Sequence, residues 1–150
     1  MDGKVLVTGT SYEQGIIQGR ALRETILHNI QEVRKKMKKD GVDSERYYRF
    51  VEKNHLEIWE EMKGIAEGSG ISFEDILMLN IPAYFMTQYL GQECSMIMAR
   101  GRATSDGLTY VIKNRDMSTY IEQAVIEREY SNGLKIVEVN GAGTVTYPAS

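Results

Sequence analysis

The strongest constraint on the fold is a change of sequence pattern near residue 90. Before that point, apolar residues recur at three- and four-residue spacing, as on one face of an amphipathic helix. After Cys94 the chain consists of short β-branched runs separated by Asp106-Gly107 and Asn132-Gly133, and both dipeptides favour hairpin turns. Helices followed by antiparallel strands predict an α+β fold.

Two long helices are predicted in the first 70 residues. The first follows a capping-box pattern, in which Ser11 is followed three residues later by Gln14. Gly15 and Gly19 lie early in this helix, where glycine costs stability, so we expect close packing against another element. The predicted apolar positions are Leu22, Ile26, Ile30, Val33 and Met37 in the first helix and Val51, His55, Ile58, Met62 and Ile65 in the second.

The boundaries of the remaining elements follow from local signals. Residues 4–8 alternate weakly and predict a short strand, and the second long helix begins near Asp43-Ser44 and ends at Gly68-Ser69-Gly70. Ser72 caps a third, short helix. Residues 80–90 are apolar and aromatic and predict an irregular, largely buried connection.

The strands after Cys94 are predicted to form one antiparallel sheet. They occupy residues 95–99, 108–112, 124–129 and 134–139. Helices could cover one face of such a sheet, but nothing after it covers the other face or its free edge, and both are liabilities. We therefore expect this chain to be part of a longer protein.

Composition limits the functional classes. The net charge is −3 with no obviously basic face, which argues against a nucleic-acid partner. No apolar run is long enough to span a bilayer, and no signal sequence opens the chain, so we expect no membrane association. A single cysteine excludes an internal disulfide and fits a reducing compartment, which predicts a cytoplasmic protein.

The single cysteine is the candidate nucleophile. Cys94 opens one predicted strand, and the strand after the next turn runs into Asn114 and Asp116. This order places a thiol at the start of one strand and a carboxylate at the end of its hairpin neighbour. A cysteine that becomes an N-terminal residue can attack while its own α-amino group takes the proton, and a nearby carboxylate orients that amine.

Several segments, taken in order along the chain, match one known family. They are Gly9 with Tyr12-Glu13-Gln14-Gly15 and Gly19, residues 64–80, Cys94-Ser95, and Thr104-Ser105-Asp106-Gly107 with Asn114-Arg115-Asp116. Together they resemble the penicillin acyltransferase family, which includes isopenicillin N acyltransferase and its bacterial relatives. The matches extend over nearly the whole chain.

The resemblance implies an N-terminal nucleophile hydrolase fold, a four-layer αββα sandwich of which only the N-terminal part is present. It implies self-cleavage before Cys94, with residues 1–93 as a leader or small subunit and residues 94–150 as the start of the catalytic domain. Cys94 would be the nucleophile, Asp116 would lie near the new α-amino group, and Asn114 would shape the site. The two chains are expected to stay associated after cleavage.

The implied activity is amide hydrolysis or acyl transfer through an acyl-thioenzyme, with a small acyl amide or thioester as substrate. No metal or other cofactor is expected, because neither His28 nor His55 has a partner at ligand spacing. The family's oxyanion-hole residues lie further downstream, so residues 1–150 alone should be close to inactive. The sequence does not choose between a monomer and a homo-oligomer.

Three residues near the cysteine leave alternatives open. Glu93 stands where the penicillin enzyme has glycine, and a bulkier, charged residue there should slow the N-to-S acyl shift between Glu93 and Cys94 or change its geometry. Lys113 stands where related penicillin V acylases and bile salt hydrolases have arginine. Arg115 is equally compatible with a surface ion pair and with binding a substrate carboxylate. The alternative to an enzyme is a non-catalytic scaffold that pairs with a second polypeptide to complete the sheet.

Overall fold

Helices and strands are both present in the computed structural model, which describes residues 4–36, 44–80, 94–115 and 121–145. This content confirms the predicted α+β class, while the four-layer sandwich stays a prediction. In chain order the elements are β1 Val5–Thr8, α1 Ser11–Ala21, α2 Arg23–Lys36, α3 Ser44–Asn54, α4 Leu56–Ser69, α5 Phe73–Leu79, β2 Cys94–Gly101, β3 Gly107–Arg115, β4 Gln123–Glu129 and β5 Lys135–Gly141.

Each predicted long helix consists of two helices. The first is interrupted at Leu22. Helix α1 packs on α4 whereas α2 also contacts α5, so the two helices pack against different elements. The second is interrupted at His55, whose backbone is not helical (φ −136°, ψ 59°). His55 is exposed, so its predicted place on the apolar face was wrong. The other four predicted apolar positions of that helix pair are buried.

The capping box of α1 is present but lies one residue earlier than predicted. Thr10, not Ser11, is the cap: its hydroxyl accepts a hydrogen bond from the Glu13 backbone N–H at 3.3 Å. The Glu13 carboxylate in turn accepts from the Thr10 backbone N–H at 2.8 Å. This bond, together with a second one that the Thr10 hydroxyl donates to the Glu13 carboxylate at 2.9 Å, lowers the pKa of Glu13. The short helix α5 is capped by Ser72 as predicted, through the Asp75 backbone N–H.

Helices α1 and α4 cross with their backbones in contact, which confirms the reason proposed for the early glycines. A Cβ added at Gly15 would lie 2.2 Å from the carbonyl oxygen of Glu61, and one added at Gly64 would lie 2.0 Å from that of Tyr12. Real Cβ atoms do not approach backbone so closely, so the crossing requires glycine on both helices. The other glycines of this contact are Gly19 and Gly68.

The strands form two sheets, so the prediction of one antiparallel sheet was wrong. Strands β1, β4 and β5 form a three-stranded sheet in that order, and β2 pairs only with β3 among the described strands. β1 runs parallel to β4, with Val5 opposite Ile126, while Ile126 also lies opposite Glu138 of β5. One neighbour of β4 is therefore β1, a strand from the start of the chain. Local hairpin signals cannot predict such a non-local pairing.

Contacts divide the chain into two units, Met1–Ile81 with Tyr120–Ser150 and Pro82–Thr119. The first unit buries one face of the three-stranded sheet against the helices, and Val7 and Ile126 are completely buried. The second unit contains the β2–β3 hairpin. The core of the first unit comprises Val7, Ile26, Ile30, Val33, Val51, Ile58, Trp59, Met62, Ile65, Ala66, Ile71, Ile76, Leu77, Leu79, Ala124, Ile126, Ala142 and Val145.

Side-chain amides hold the segment that follows β5. Asn80 donates to the carbonyl of Gly143 at 3.0 Å and accepts from the Val145 backbone N–H at 2.8 Å. Gln18, which is fully buried, donates to the Thr144 carbonyl at 3.4 Å. A segment without a strand partner needs such bonds, because buried backbone groups must be paired. These contacts fix the end of the described chain against α1 and α5.

Asn29 also hydrogen-bonds to backbone groups through its side-chain amide, and its substitution tests how much such contacts stabilise the fold. It donates to the carbonyls of Glu122 and Ala142 at 2.9 and 3.1 Å and accepts from the Glu122 backbone N–H at 2.7 Å. We expect Asn29→Ala to lower the free energy of unfolding by about 1–3 kcal/mol, because buried backbone groups lose their partners. Urea unfolding measures this loss. Gln31→Ala, at an exposed position of the same helix, should change little, and equal effects would contradict the assignment.

Candidate functional site

Cys94 lies at the start of the β2–β3 hairpin, as the sequence predicts. In the backbone register of this antiparallel pair, Cys94 is opposite Arg115 and Ser95 is opposite Asn114. The first residue of β2 is therefore level with the last residue of β3. The register brings together three of the predicted site residues, Cys94, Asn114 and Arg115, at one end of a two-stranded sheet.

The turn of this hairpin is built from the predicted Asp106-Gly107 dipeptide. Gly107 adopts φ +75°, a conformation that favours glycine. The Asp106 carboxylate accepts from the Leu108 backbone N–H at 3.0 Å, and the Thr104 hydroxyl donates to the Leu108 carbonyl at 2.9 Å. The Tyr110 hydroxyl also donates to Asp106, which lowers the pKa of that carboxyl. The register shifts by one residue between Ala99 and Gly101, so the turn and this shift together place Arg115 opposite Cys94.

The structure describes only some of the remaining predicted site residues. Glu93 and Asp116 lie outside the described residues. Asn114 and Lys113 are exposed neighbours on β3, and successive side chains of a strand point to opposite faces. Asn114 is level with Ser95, whereas Lys113 is level with Met96. Lys113 and Asn114 therefore lie on opposite faces of the hairpin, and a molecule bound to one face would contact only one of them.

Apolar side chains on both faces of the hairpin are exposed. Met96 and Val111 lie on one face, Ile97 and Ile112 on the other, and their exposed fractions range from 56% to 66%. An isolated two-stranded hairpin is marginally stable in water, and exposed apolar surface of this kind marks binding or packing surfaces. The candidate nucleophile thus lies at one end of a hairpin with two apolar faces.

The sequence did not predict a buried cluster of charged residues in the first unit, here called the Arg128 cluster. It comprises Arg128 of β4, Glu61 of α4, Glu138 of β5 and Gln14 of α1. Arg128 is only 2% exposed, and it donates to Glu138 through Nε at 2.8 Å, to Gln14 through Nη1 at 3.0 Å and to Glu61 through Nη2 at 2.7 Å. The cluster joins two helices to the sheet.

The signal that could have found this cluster is the alternation of β4. Ala124, Ile126 and Arg128 occupy successive inward positions of that strand, and all three are buried. A cation at an inward position requires a buried anion, because an unpaired buried charge is very costly. The sequence offers many acidic residues, and only the three-dimensional structure shows that Glu61 and Glu138 are the partners.

Burial and charge shift the pKa values within the Arg128 cluster in definite directions. Burial raises the pKa of the Glu61 carboxyl above its usual 4.5, despite the attraction and hydrogen bond of Arg128, and the nearby Glu138 raises it further. Burial acts to lower the pKa of Arg128, but the two carboxylates outweigh it and the pKa is raised. The guanidinium is therefore permanently charged, and Glu61 favours its protonated form more than an exposed glutamate does.

No protein-family model matches this chain, and a comparison with curated proteins finds no similar sequence. The resemblance to the penicillin acyltransferase family therefore stays a prediction. Among the residues that the structure describes, no helix has the length and apolar character needed to cross a bilayer. Within the same residues, no three His, Cys, Asp or Glu side chains are arranged to hold a metal ion.

Proposed function

We propose that this chain contributes the nucleophile of a cysteine-dependent amide hydrolase or acyltransferase, and that it is cleaved between Glu93 and Cys94. The observation that carries the proposal is the register of the hairpin. Cys94 is level with Arg115, at the point where β3 leads into Asp116. A nucleophile and an orienting carboxylate must lie within reach of each other, and a register that sets Cys94 opposite Arg115, the residue before Asp116 in the sequence, supports this proposal.

The bond-making and proton-transfer steps of the proposed reaction use the thiol and the α-amino group of Cys94. The Cys94 thiol attacks the carbonyl carbon of an amide or thioester, and its proton passes to the free α-amino group. Collapse of the tetrahedral intermediate transfers that proton to the leaving amine or thiol and leaves an acyl-thioenzyme. Water or an amine then accepts the acyl group and restores the thiol. Asp116 orients the α-amino group, and Asn114 and Arg115 shape the end of the hairpin.

The backbone pairing places Arg115 closer to the nucleophile than Asn114. Its backbone is directly opposite Cys94, whereas Asn114 is opposite Ser95. A cation near a cysteine stabilises the thiolate and lowers its pKa. We therefore assign Arg115 the role of holding negative charge at the site, on the thiolate or on a substrate carboxylate. Asn114 retains a site-shaping role.

The two products of cleavage are expected to stay together. β1, which precedes the cleavage point, pairs along its length with β4, which follows it. Asn29 and Asn80 hydrogen-bond to backbone groups on the other side of the cut. Separation would expose the shared core, at roughly 1.5–3 kcal/mol for each large apolar side chain. The cleaved protein should therefore elute as one species in size-exclusion chromatography and separate only in denaturant.

Intact-mass measurement on the purified chain tests the proposal. We expect the wild type to give two masses that correspond to a cut between Glu93 and Cys94, and Cys94→Ala to give one uncut mass. Ser95→Ala changes the next residue of the same strand and should leave cleavage intact. A single uncut mass for all three proteins would contradict self-processing, and cleavage in Cys94→Ala would assign the cut to another agent.

A non-catalytic scaffold is the second candidate function. The apolar side chains on both faces of the hairpin favour it, because a second polypeptide could cover them and pair with a free strand edge. This candidate predicts the same uncut mass for the wild type and Cys94→Ala. It further predicts that Cys94→Ala and the wild type bind such a polypeptide equally well, whereas an enzyme would lose acyl-thioenzyme formation.

A further inference from the structure

Two asparagines of this chain precede glycine, and the structure places them in different environments. Asn132-Gly133 lies in the connection between β4 and β5, where both residues are exposed. Asn140-Gly141 ends β5, where Asn140 is half-buried and Gly141 is buried. The reacting groups of the two dipeptides are identical, so a comparison between them isolates the effect of the fold.

We propose that Asn132 is a site of spontaneous covalent modification, at which the side-chain amide is lost and an acidic residue forms in the β4–β5 turn. The backbone nitrogen of Gly133 attacks Cγ of Asn132, and the new C–N bond closes a succinimide ring. The side-chain nitrogen leaves as ammonia and carries away the proton of the attacking nitrogen. Water then opens the ring: cleavage at Cγ gives aspartate, and cleavage at the main-chain carbonyl gives isoaspartate. Water is the only co-reactant, and nothing is oxidised or reduced.

The turn holds the two reacting groups close together. Oδ1 of Asn132 accepts a hydrogen bond from the Leu134 backbone N–H at 3.0 Å, so the side chain folds back over Gly133. The same bond stabilises the negative charge that develops on Oδ1 during the attack. Gly133 has no side chain to block its nitrogen, and a Cβ built on it would meet no heavy atom within 4 Å. Water therefore reaches the reacting atoms.

One hydrogen bond of the turn opposes the reaction. The Gly133 backbone N–H donates to the Tyr130 carbonyl at 2.9 Å, and this bond must open before the nitrogen can attack. Opening an exposed turn costs far less free energy than opening a paired strand. The attack at Asn132 therefore needs only a small local opening.

Strand pairing protects the second dipeptide. Asn140 is level with Ala124, and Gly141 is level with Gln123, in the antiparallel ladder of β4 and β5. Ring closure requires the backbone at Asn140 to rotate, which would break this pairing. A Cβ built on Gly141 would lie 2.9 Å from the Ile121 side chain, so there is little room for water at the attacking nitrogen. Asn140 therefore reacts only after β5 has opened.

The modification changes the end of the β4–β5 hairpin. Both products place a new negative charge in the turn, and isoaspartate also adds a carbon atom to the main chain. The added carbon lies within the loop that is closed by the hydrogen bond from the Tyr130 N–H to the Leu134 carbonyl, at 2.9 Å. Modification should therefore loosen the turn. It involves none of the candidate site residues and does not depend on the cleavage proposed above.

Peptide mapping of the purified chain, aged in mildly alkaline buffer, tests the proposal. Trypsin cleaves after Arg128 and Lys135, so Asn132 lies in the peptide 129–135 and Asn140 lies in the next peptide. In the folded protein, the peptide 129–135 should gain the mass difference between a carboxyl and an amide at least about tenfold faster than the next peptide. It should also separate into aspartyl and isoaspartyl forms. In urea, the two peptides should react at similar rates.

The comparison of folded and urea-unfolded wild type needs no variant, and Asn132→Gln provides a matched control. Glutamine would have to close a larger ring, so the variant's peptide 129–135 should keep its mass. The proposal is overturned if Asn140 reacts as fast as Asn132 in the folded protein, or if Asn132 stays unmodified while both asparagines react in urea. An equal preference for Asn132 in urea would also overturn it, because the local sequence and not the fold would then select the site.

Discussion

Gly64→Ala should destabilise this chain by forcing the backbones of α1 and α4 apart. The added Cβ would lie 2.0 Å from the carbonyl oxygen of Tyr12 and 3.0 Å from the backbone nitrogen of Ile16. Both neighbours are backbone atoms, so relief requires α1 and α4 to move apart. Overpacking of this kind costs about 1–3 kcal/mol, and occasionally more. Urea unfolding monitored by circular dichroism measures the loss.

The expected loss of stability is informative because helix propensity alone predicts the opposite change. Alanine is a better helix former than glycine by about 1 kcal/mol, so without the helix crossing the substitution would stabilise α4. Lys63→Ala, at the exposed position next to Gly64, is the matched control and should change stability little. Gly15→Ala should behave like Gly64→Ala, because its Cβ would meet the Glu61 carbonyl at 2.2 Å. A Gly64→Ala protein as stable as the wild type would refute the close crossing.

The sequence was most informative where a residue type has one strong physical reason for its position. Glycine in a helix is costly, and this cost correctly pointed to close packing at Gly15 and Gly19. Asp106-Gly107 and Asn132-Gly133 correctly located two turns, because Gly107 and Gly133 have positive φ. Local signals such as the Ser72 cap were equally reliable. The turns and the cap depend on neighbours in the sequence alone, whereas the glycines indicated close packing without identifying α4 as the partner.

Non-local pairing limited the prediction of the fold. β1 is separated from β4 by most of the chain, yet Val5–Thr8 supplies the parallel neighbour of β4. Nothing in four alternating residues specifies a partner over that distance. The break at His55 was missed for a related reason, because an unbroken apolar periodicity cannot show where two helices change direction. The arrangement of helix packing partners decides such breaks.

The candidate site shows the same division between local and non-local information. The turn at Asp106-Gly107 was enough to predict that Cys94 lies near the end of β3, but the register shift between Ala99 and Gly101 that sets Cys94 opposite Arg115 needed the structure. The predicted partner Asp116 lies outside the described residues, so its role rests on the sequence. The Arg128 cluster, by contrast, needed the structure, because a buried arginine can be identified by strand alternation but its carboxylate partners cannot.

Arg128→Leu should cause the largest loss of stability among the charged residues. It leaves the carboxylates of Glu61 and Glu138 buried without their shared cation, and breaking a buried pair by removing one partner costs about 3–5 kcal/mol. Gln14 also loses a hydrogen-bond donor. Because burial raises the pKa of Glu61 and its carboxylate becomes charged as the pH rises, we expect the loss to be smallest near pH 4.5 and to grow at higher pH. Urea unfolding at a series of pH values measures both effects.

A surface cation on the same sheet provides the matched control. Lys135 pairs with Glu129 across β4 and β5, but its side chain is 62% exposed, so Lys135→Leu should cost at most about 1 kcal/mol. Adding Glu61→Leu and Glu138→Leu to Arg128→Leu should recover most of the lost stability, because well-packed apolar residues often replace buried ion pairs without loss. If Arg128→Leu and Lys135→Leu are equally stable, Arg128 is not buried among carboxylates. If the loss is large but independent of pH, Arg128 acts by packing, because a buried Glu61 carboxylate that has lost its cation must respond to protonation.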